Sequence, residues 1–296
     1  MAHESHIKES GIYDGEVIDF TAKINELTPC IINFNKDVLT KQINEPVRDI
    51  QCLKVKEIII TPKGYKIYDF GQNFAGVVKI KIPKSFKGTI TLNFAEVLIN
   101  GEFYTKNLRR AKVIDKFTGE GETVFCPEFT FHGFRYLKIT GGDIPQENIT
   151  GIVRHSDMKR TRIITTSNAR INRLINNILW GQKSNFVDIP TDCPQRDERL
   201  GWTGDINAFC NAASYNYDIR LFMKKWLNDV RNDQKETGEI PHVVPDCLND
   251  SKHTNAMWCD CIVMIPWNLY WTYGDKSFLE DNYLAMKKFI SVVIKQ

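Results

Sequence analysis

The spacing of apolar residues changes once along this chain, near residue 160, and that change limits the fold more than any other feature. Upstream, short runs are punctuated by turn residues: EIIITPKG, YKIYDFG, GVVKIKIPKSFKG, TITLNFAEVLING, VIDKFTGEG, TVFCPEFTFHG and FRYLKITGG. In Val77-Val78-Lys79-Ile80-Lys81-Ile82 and Thr89-Ile90-Thr91-Leu92-Asn93-Phe94, apolar and polar residues alternate, as a strand with one buried face requires. Many short strands at such intervals predict a β-sandwich. Downstream the period becomes helical. Ile171, Leu174, Ile175 and Ile178 share one face of SNARINRLINNILWGQ, with Ser167 or Asn168 as its cap. Further helices are expected over 208–217, 221–230, 256–273 and 279–294. Successive helices with no strands between them point to an all-α toroid or bundle and away from a βαβ fold. A chain of 296 residues, 42% hydrophobic and 25% charged, has the length and apolar content for two such domains.

Charge and targeting signals remove several function classes. The formal net charge is only +3, with Lys and Arg spread along the chain, so no nucleic-acid partner is expected. MAHESHIKES lacks the apolar core of a signal peptide, and no run approaches the roughly 18 apolar residues of a membrane span. No membrane association is expected, and the reading is cytoplasmic unless a leader has been removed. The eight cysteines, Cys30, Cys52, Cys126, Cys193, Cys210, Cys247, Cys259 and Cys261, show no CxxC pair or regular spacing, and are read as reduced, mostly buried thiols. Cys259 and Cys261 with His253 suggest zinc only until their context, WCDCIVMIPW, is read as a buried apolar helix. No metal site is expected.

One segment, TDCPQRDERLGWTGD (Thr191 to Asp205), has neither period and carries four carboxylates, two arginines, a tryptophan, a proline and two glycines. Its turn residues predict a loop over the mouth of the helical layer. Two readings stand. The acids are solvated or paired with Arg196 and Arg199, as loop charges often are. Alternatively, Asp, Arg and Trp together offer acceptors, donors and an aromatic platform for a sugar, whose edge is hydroxylated and whose face is C–H. Crowded carboxylates beside an indole also suit acid–base cleavage of a glycosidic bond, because mutual repulsion and desolvation keep one member protonated. The residues do not say which one. Trp258, preceding Asp260, is the better aromatic candidate for the site; Trp267 and Trp271, spaced i and i+4, are read as core packing. His242 and Asp246, in IPHVVPDCLND, lie either on a second rim loop or on an ordinary exposed one. Glu96, Arg109, Arg110 and His132 either approach the helical barrel or, as the preferred reading has it, are ordinary surface and turn positions.

DCPQRDERLGWTGD resembles, almost residue for residue, the signature of the bacterial α-L-rhamnosidases of glycoside hydrolase family 78. YDFGQNFAGVVKIKI, FAEVLINGEFYTKNLRRAK and FTFHGFRYLKITG are similar to the β-sandwich that precedes that family's catalytic domain, and GIYDGEVIDF resembles the end of a still earlier accessory region. The resemblance implies three segments: 1–50 as an accessory β tail and connection, 51–158 as the sandwich, and 159–296 as the first part of an (α/α)6 barrel. It implies inverting removal of terminal α-L-rhamnose from glycosides or oligosaccharides without a cofactor. By position, Glu198 matches the general acid, and Asp192, Arg196, Trp202 and Asp205 match residues that hold the rhamnose; Trp258 and Asp260 are carried over on weaker matches.

One departure stands out. The family's general base is a glutamate later in the barrel, and no position here matches it. The chain is therefore expected to be a fragment, inactive or nearly so, with apolar helix faces that promote self-association or partial disorder after residue 160. A non-catalytic carbohydrate-binding protein remains the main alternative. A metal-dependent hydrolase using Asp192, Glu198 and His242 is the other, although no HExxH-like spacing exists.

Overall fold

A computed structural model describes residues 5–25, 33, 35–249 and 254–295; Cys30 and His253 lie outside them. The chain forms two compact units. The first comprises Met1–Gln42, Asp49–Arg154 and Gln195–Asp197, and the second Ile43–Arg48, His155–Pro194 and Glu198–Gln296. An N-terminal curled β-sheet is thus followed by a helical segment.

The sheet has ten strands: β1 (Ile7–Gly11), β2 (Gly15–Asp19), β3 (Val47–Lys54), β4 (Glu57–Ile60), β5 (Lys66–Ile82), β6 (Lys87–Ala95), β9 (Ile114–Glu120), β10 (Thr123–Phe125), β11 (His132–Thr140) and β12 (Ile149–Ser156). A separate hairpin joins β7 (Val97–Ile99) to β8 (Glu102–Tyr104). The main order is β1-β2-β9-β6-β11-β5-β12-β3, with β4 and β10 also pairing with β5. β2 runs parallel to β9, whereas β1 with β2, β6 with β9 and β11, and β5 with β4, β10, β11 and β12 pair antiparallel. The expected runs YKIYDFG and GVVKIKI prove to be one 17-residue strand, β5. Gly71, at φ 73°, lies between Asp69 and Phe74 of β5, where the pairing with β11 shifts register between Phe134 and Tyr136. Such an irregularity lets one long strand curl without ending.

The alternation read from the sequence appears as burial. Val77, Val78, Ile80, Ile82, Ile90, Leu92 and Phe94 are buried, and Phe70, Phe74, Phe94 and Phe134 pack ring against ring at 4.4–5.7 Å. Edge-to-face and tilted contacts of this kind add to the area term. His132, expected at the surface, is instead fully buried: Asp115 Oδ1 lies 2.9 Å from its Nε2, and its ring stacks on Phe94. Buried polar groups need such partners.

The second unit contains α1 (Ala169–Asn185), α2 (Thr203–Asn216), α3 (Arg220–Asp233), α4 (Cys261–Tyr273), α5 (Ser277–Glu280) and α6 (Tyr283–Val293). Asn168 caps α1, its side chain accepting from the N–H groups of Arg170 and Ile171. A two-residue ladder, β13 (Phe186–Val187) with β14 (Ile189–Pro190), interrupts the expected uninterrupted helices. α4 packs against α2, α3, α5 and α6. Around it Trp226, Phe222, Met223, Ile262, Ile265, Leu269 and Phe278 are fully buried.

Three helix boundaries differ from expectation, each for a local reason. α2 starts at Thr203, inside the acidic segment, because Thr203 to Asp205 form its first turn. α4 starts at Cys261 rather than 256, because Met257 takes φ 72° and residues 256–260 form turns. The 279–294 run breaks at Asn282, whose side chain donates to the Phe278 carbonyl and accepts from Arg231. Trp267 and Trp271, expected in the core, are 48% and 70% exposed and form a surface cluster with Tyr270. No disulfide joins the described cysteines. Cys193, Cys210, Cys259 and Cys261 are buried and Cys126 is half-buried, as expected of mostly buried thiols, whereas Cys52 and Cys247 are exposed.

Candidate functional site

Backbone pairing fixes the acidic segment before any side chain acts. Thr191 N–H donates to the Asn185 carbonyl at 2.8 Å, and Asp192 and Leu200 exchange bonds: Asp192 N–H to the Leu200 carbonyl at 3.1 Å, and Leu200 N–H to Asp192 Oδ1 at 3.0 Å. One carboxylate oxygen of Asp192 is thereby committed to closing the loop. The segment then bridges to residues 242–244. Val244 N–H donates to the Gly201 carbonyl at 2.9 Å, Trp202 pairs with Val243, and the Thr203 N–H and Oγ1 both donate to the His242 carbonyl. Trp226, from the core of α3, donates its indole N–H to the Val244 carbonyl. A buried tryptophan thus supports the strand-like piece beneath the motif.

On this frame the candidate acid is held by its neighbour four residues on. The Trp202 indole N–H donates to Glu198 Oε1 at 3.1 Å. Candidate ligand atoms of Asp192, Cys193 and Glu198 lie within 4.8 Å of one another, the buried thiol among the two acids. His242 is not in that grouping, so the three-ligand set Asp192, Glu198 and His242 is not assembled. The spacing also separates roles. Inverting acid and base carboxyls stand roughly 6.5–9.5 Å apart to admit a water. The separation of Asp192 and Glu198 is shorter than that range.

Asp192 and Asp205 line a cavity of about 400 Å³ bounded by Gln182 of α1, Phe186, and Ile206 and Phe209 of α2. Apolar walls with a few convergent polar groups are the usual lining of a small-molecule site. Trp258 is 39% exposed and its indole lies against Gly204, where an added Cβ would approach to 2.7 Å. Gly204 is therefore what lets the indole close on the start of α2. Its other neighbour is His242, at 6.3 Å between ring centroids. Asp260 Oδ1 accepts from Asn207 Nδ2 at 2.9 Å, and Asn207 also reaches the Met257 carbonyl. Asn207 escaped sequence reading because an asparagine on a helix carries no signal of its own. Asp246, whose N–H donates to Asp233, pairs with Lys235 at 3.4 Å.

The remaining motif charges have partners in the first unit. Arg110 Nε donates to Asp197 Oδ2 at 2.9 Å, and this bond holds the Asp197 carboxyl below the usual carboxylate range. Burial pushes the Glu96 carboxyl up, against the hydrogen bonds of Asn73 and Asn107 and the charge of Arg196. Of the residues singled out from sequence, Asp192, Glu198 and Trp202 are brought into one group. Asp205 shares the cavity with Asp192, Trp258 rests on Gly204, and Arg196 acts on Glu96.

Two family descriptions match the chain: a bacterial alpha-L-rhamnosidase concanavalin-like domain over residues 59–155, and a bacterial alpha-L-rhamnosidase 6 hairpin glycosidase domain over residues 159–296. An alpha-L-rhamnosidase of Formosa agariphila is 38% identical across 96% of this chain and 33% of its own length. One from Alteromonas sp. is 43% identical across 83% of this chain and 27% of its own. Among solved structures, alpha-L-rhamnosidase from Aspergillus terreus matches with a TM-score of 0.88 at 38% identity, covering 96% of this chain and 35% of that one. The Streptomyces avermitilis enzyme, complexed with L-rhamnose, matches with a TM-score of 0.89 at 34% identity, covering 98% of this chain and 30% of that one. The chain spans between about a quarter and a third of the length of the curated relatives it matches.

Proposed function

Because this chain belongs to the bacterial α-L-rhamnosidase family over residues 59–155 and 159–296, we propose that it serves the inverting hydrolysis of terminal α-L-rhamnosyl residues, with Glu198 as the general acid. The observation that carries this reading is the Trp202 indole bond to Glu198 Oε1, with Asp192 close beside the same carboxyl. A carboxyl so held keeps one oxygen aimed while the other delivers a proton to the leaving oxygen. Asp192, Asp205, Arg196, Trp202, Trp258 and Asp260 hold the rhamnose: carboxylates and the guanidinium on its hydroxyls, the indoles on its C–H face. No cofactor takes part.

The water-activating base is not assigned to any of these 296 residues, and the chain alone is expected to turn over slowly or not at all. The test therefore supplies azide, an anionic nucleophile that needs no base. With azide, the chain should convert an alkyl α-L-rhamnoside to rhamnosyl azide. Glu198→Gln should lower that rate by roughly 10²–10⁴-fold, the usual contribution of a positioned acid. An activated aryl rhamnoside, whose leaving group needs little protonation, should lose far less. Rhamnose binding retained in both proteins, with no product from either, would instead favour a sugar-binding role. Equal rates for both proteins on the alkyl substrate would remove Glu198 from the mechanism.

A further inference from the structure

His242 joins three parts of the helical unit, using its backbone for one task and its ring for another. Its carbonyl accepts from the N–H of Thr203 at 2.8 Å and from Thr203 Oγ1 at 3.0 Å. That satisfies one of the N–H groups that the first turn of α2 leaves without a helical partner. The ring faces the residues that precede α4. Asn255 Nδ2 lies 3.0 Å from His242 Nε2. An amide nitrogen only donates, so Nε2 is the acceptor and the ring carries its N–H at Nδ1.

The same asparagine anchors the turn that carries Trp258. Its carbonyl accepts from the Cys259 N–H at 2.9 Å and from the Trp258 N–H at 3.4 Å. The Trp258 indole then returns to the imidazole, with 6.3 Å between ring centres and 68° between ring planes. Edge-to-face pairs are favourable at separations of about 4.5–7 Å. The contacts therefore close a circuit: His242 ring, Asn255 side chain, Asn255 carbonyl, Trp258 backbone, Trp258 ring and back. An indole that is 39% exposed has room to swing about its two side-chain torsions. Gly204 meets it at one place and His242 at another, and two contacts fix what one leaves free.

We infer that His242 is a positioning residue: its ring, held by Asn255, sets the angle of the Trp258 indole for a sugar to stack on. The sugar half of this inference rests on the placing of Trp258 in the rhamnose platform; the orienting of one ring by the other does not.

Side-chain replacement leaves the motif standing, because the fold uses the carbonyl of His242, and Asn255 is exposed. The full 296-residue chain is compared with His242→Ala and Asn255→Ala, each also in a Trp258→Phe background. Rhamnose affinity is measured by calorimetry, and acrylamide quenching of tryptophan emission is measured without sugar. His242→Ala should weaken rhamnose roughly three- to tenfold, the worth of one edge-to-face contact. Asn255→Ala should act in the same direction by a smaller factor. In the azide reaction KM should rise by the same factors while kcat holds. His242→Gln, which puts an acceptor oxygen where Nε2 stands, should recover part of the loss. Quenching should increase in both single variants. With Trp258 replaced, neither change should alter affinity or quenching further, because a residue that acts through another has no effect without it.

Equal losses with and without Trp258 would make His242 a direct ligand of the sugar and overturn the positioning role. So would affinity and quenching that stay unchanged in both single variants. A parent chain that binds no rhamnose would overturn the rhamnosidase reading and the sugar half together, and the quenching would then decide by itself whether His242 orients Trp258.

Discussion

At the scale of single residues, Gly204 controls more of the candidate site than its size suggests. A methyl group there would sit 2.7 Å from the Trp258 indole, so the ring must move. Gly204→Ala should lower rhamnose affinity about tenfold or more while far-UV circular dichroism and the melting temperature stay close to those of the parent, because the clash falls on a partly exposed side chain. Unchanged affinity would take Trp258 out of the sugar platform. The acids and the indole of this motif stand out in the sequence by residue type alone. The partnerships do not. Trp202 with Glu198 is an i, i+4 pair inside a non-helical segment, where no period announces it, and Asn207 with Asp260 joins residues 53 positions apart. Likewise, nothing local marks His132 as buried; its partner Asp115 lies on another strand.

Elements were legible where one signal decided them. Asn168 capped the first helix as its residue type predicts, and the alternation along β5 and β6 became their buried face. Boundaries failed where side chains competed with the backbone, as at Asn282, or where a residue took positive φ, as at Met257. The start of α5 offers a pH test. Asp275 Oδ1 accepts from the Ser277 N–H and Oγ, and Oδ2 pairs with Lys224 of α3 at 3.1 Å. The Ser277 hydrogen bonds, then that of Lys224, bring its pKa from 3.8 to about 2. A depressed folded-state pKa stabilises above the unfolded value, and that stabilisation is lost as pH falls through about 2. Thermal melts of the parent chain and Asp275→Ala should therefore differ most above pH ~4 and converge toward pH ~2. A gap that persists unchanged down to that pH would show that the charge of Asp275 contributes nothing.

Over the whole molecule, the two periodicities gave the order of the architecture, a curled sheet and then helices. They could not say which apolar helix faces are covered, since period reports a face and not its partner. Ile171 and Leu174 of α1, Trp267 and Trp271 of α4, and Tyr283 and Leu284 of α6 are all exposed. Large apolar side chains exposed on several helices favour association. Light scattering on a size-exclusion column is expected to give a mass above 34.2 kDa that rises with concentration; one monomeric peak at all concentrations would count against it.

The same distribution of tryptophans gives the protein an internal colour scale. Trp226 is sealed in the core with its indole bonded to a carbonyl, and Trp271 is largely in water. Emission from the first is set by the interior and should stay short in wavelength as long as the helices hold together. Emission from the second belongs to the solvent, and its shift to the blue would report the moment at which anything comes to cover that face.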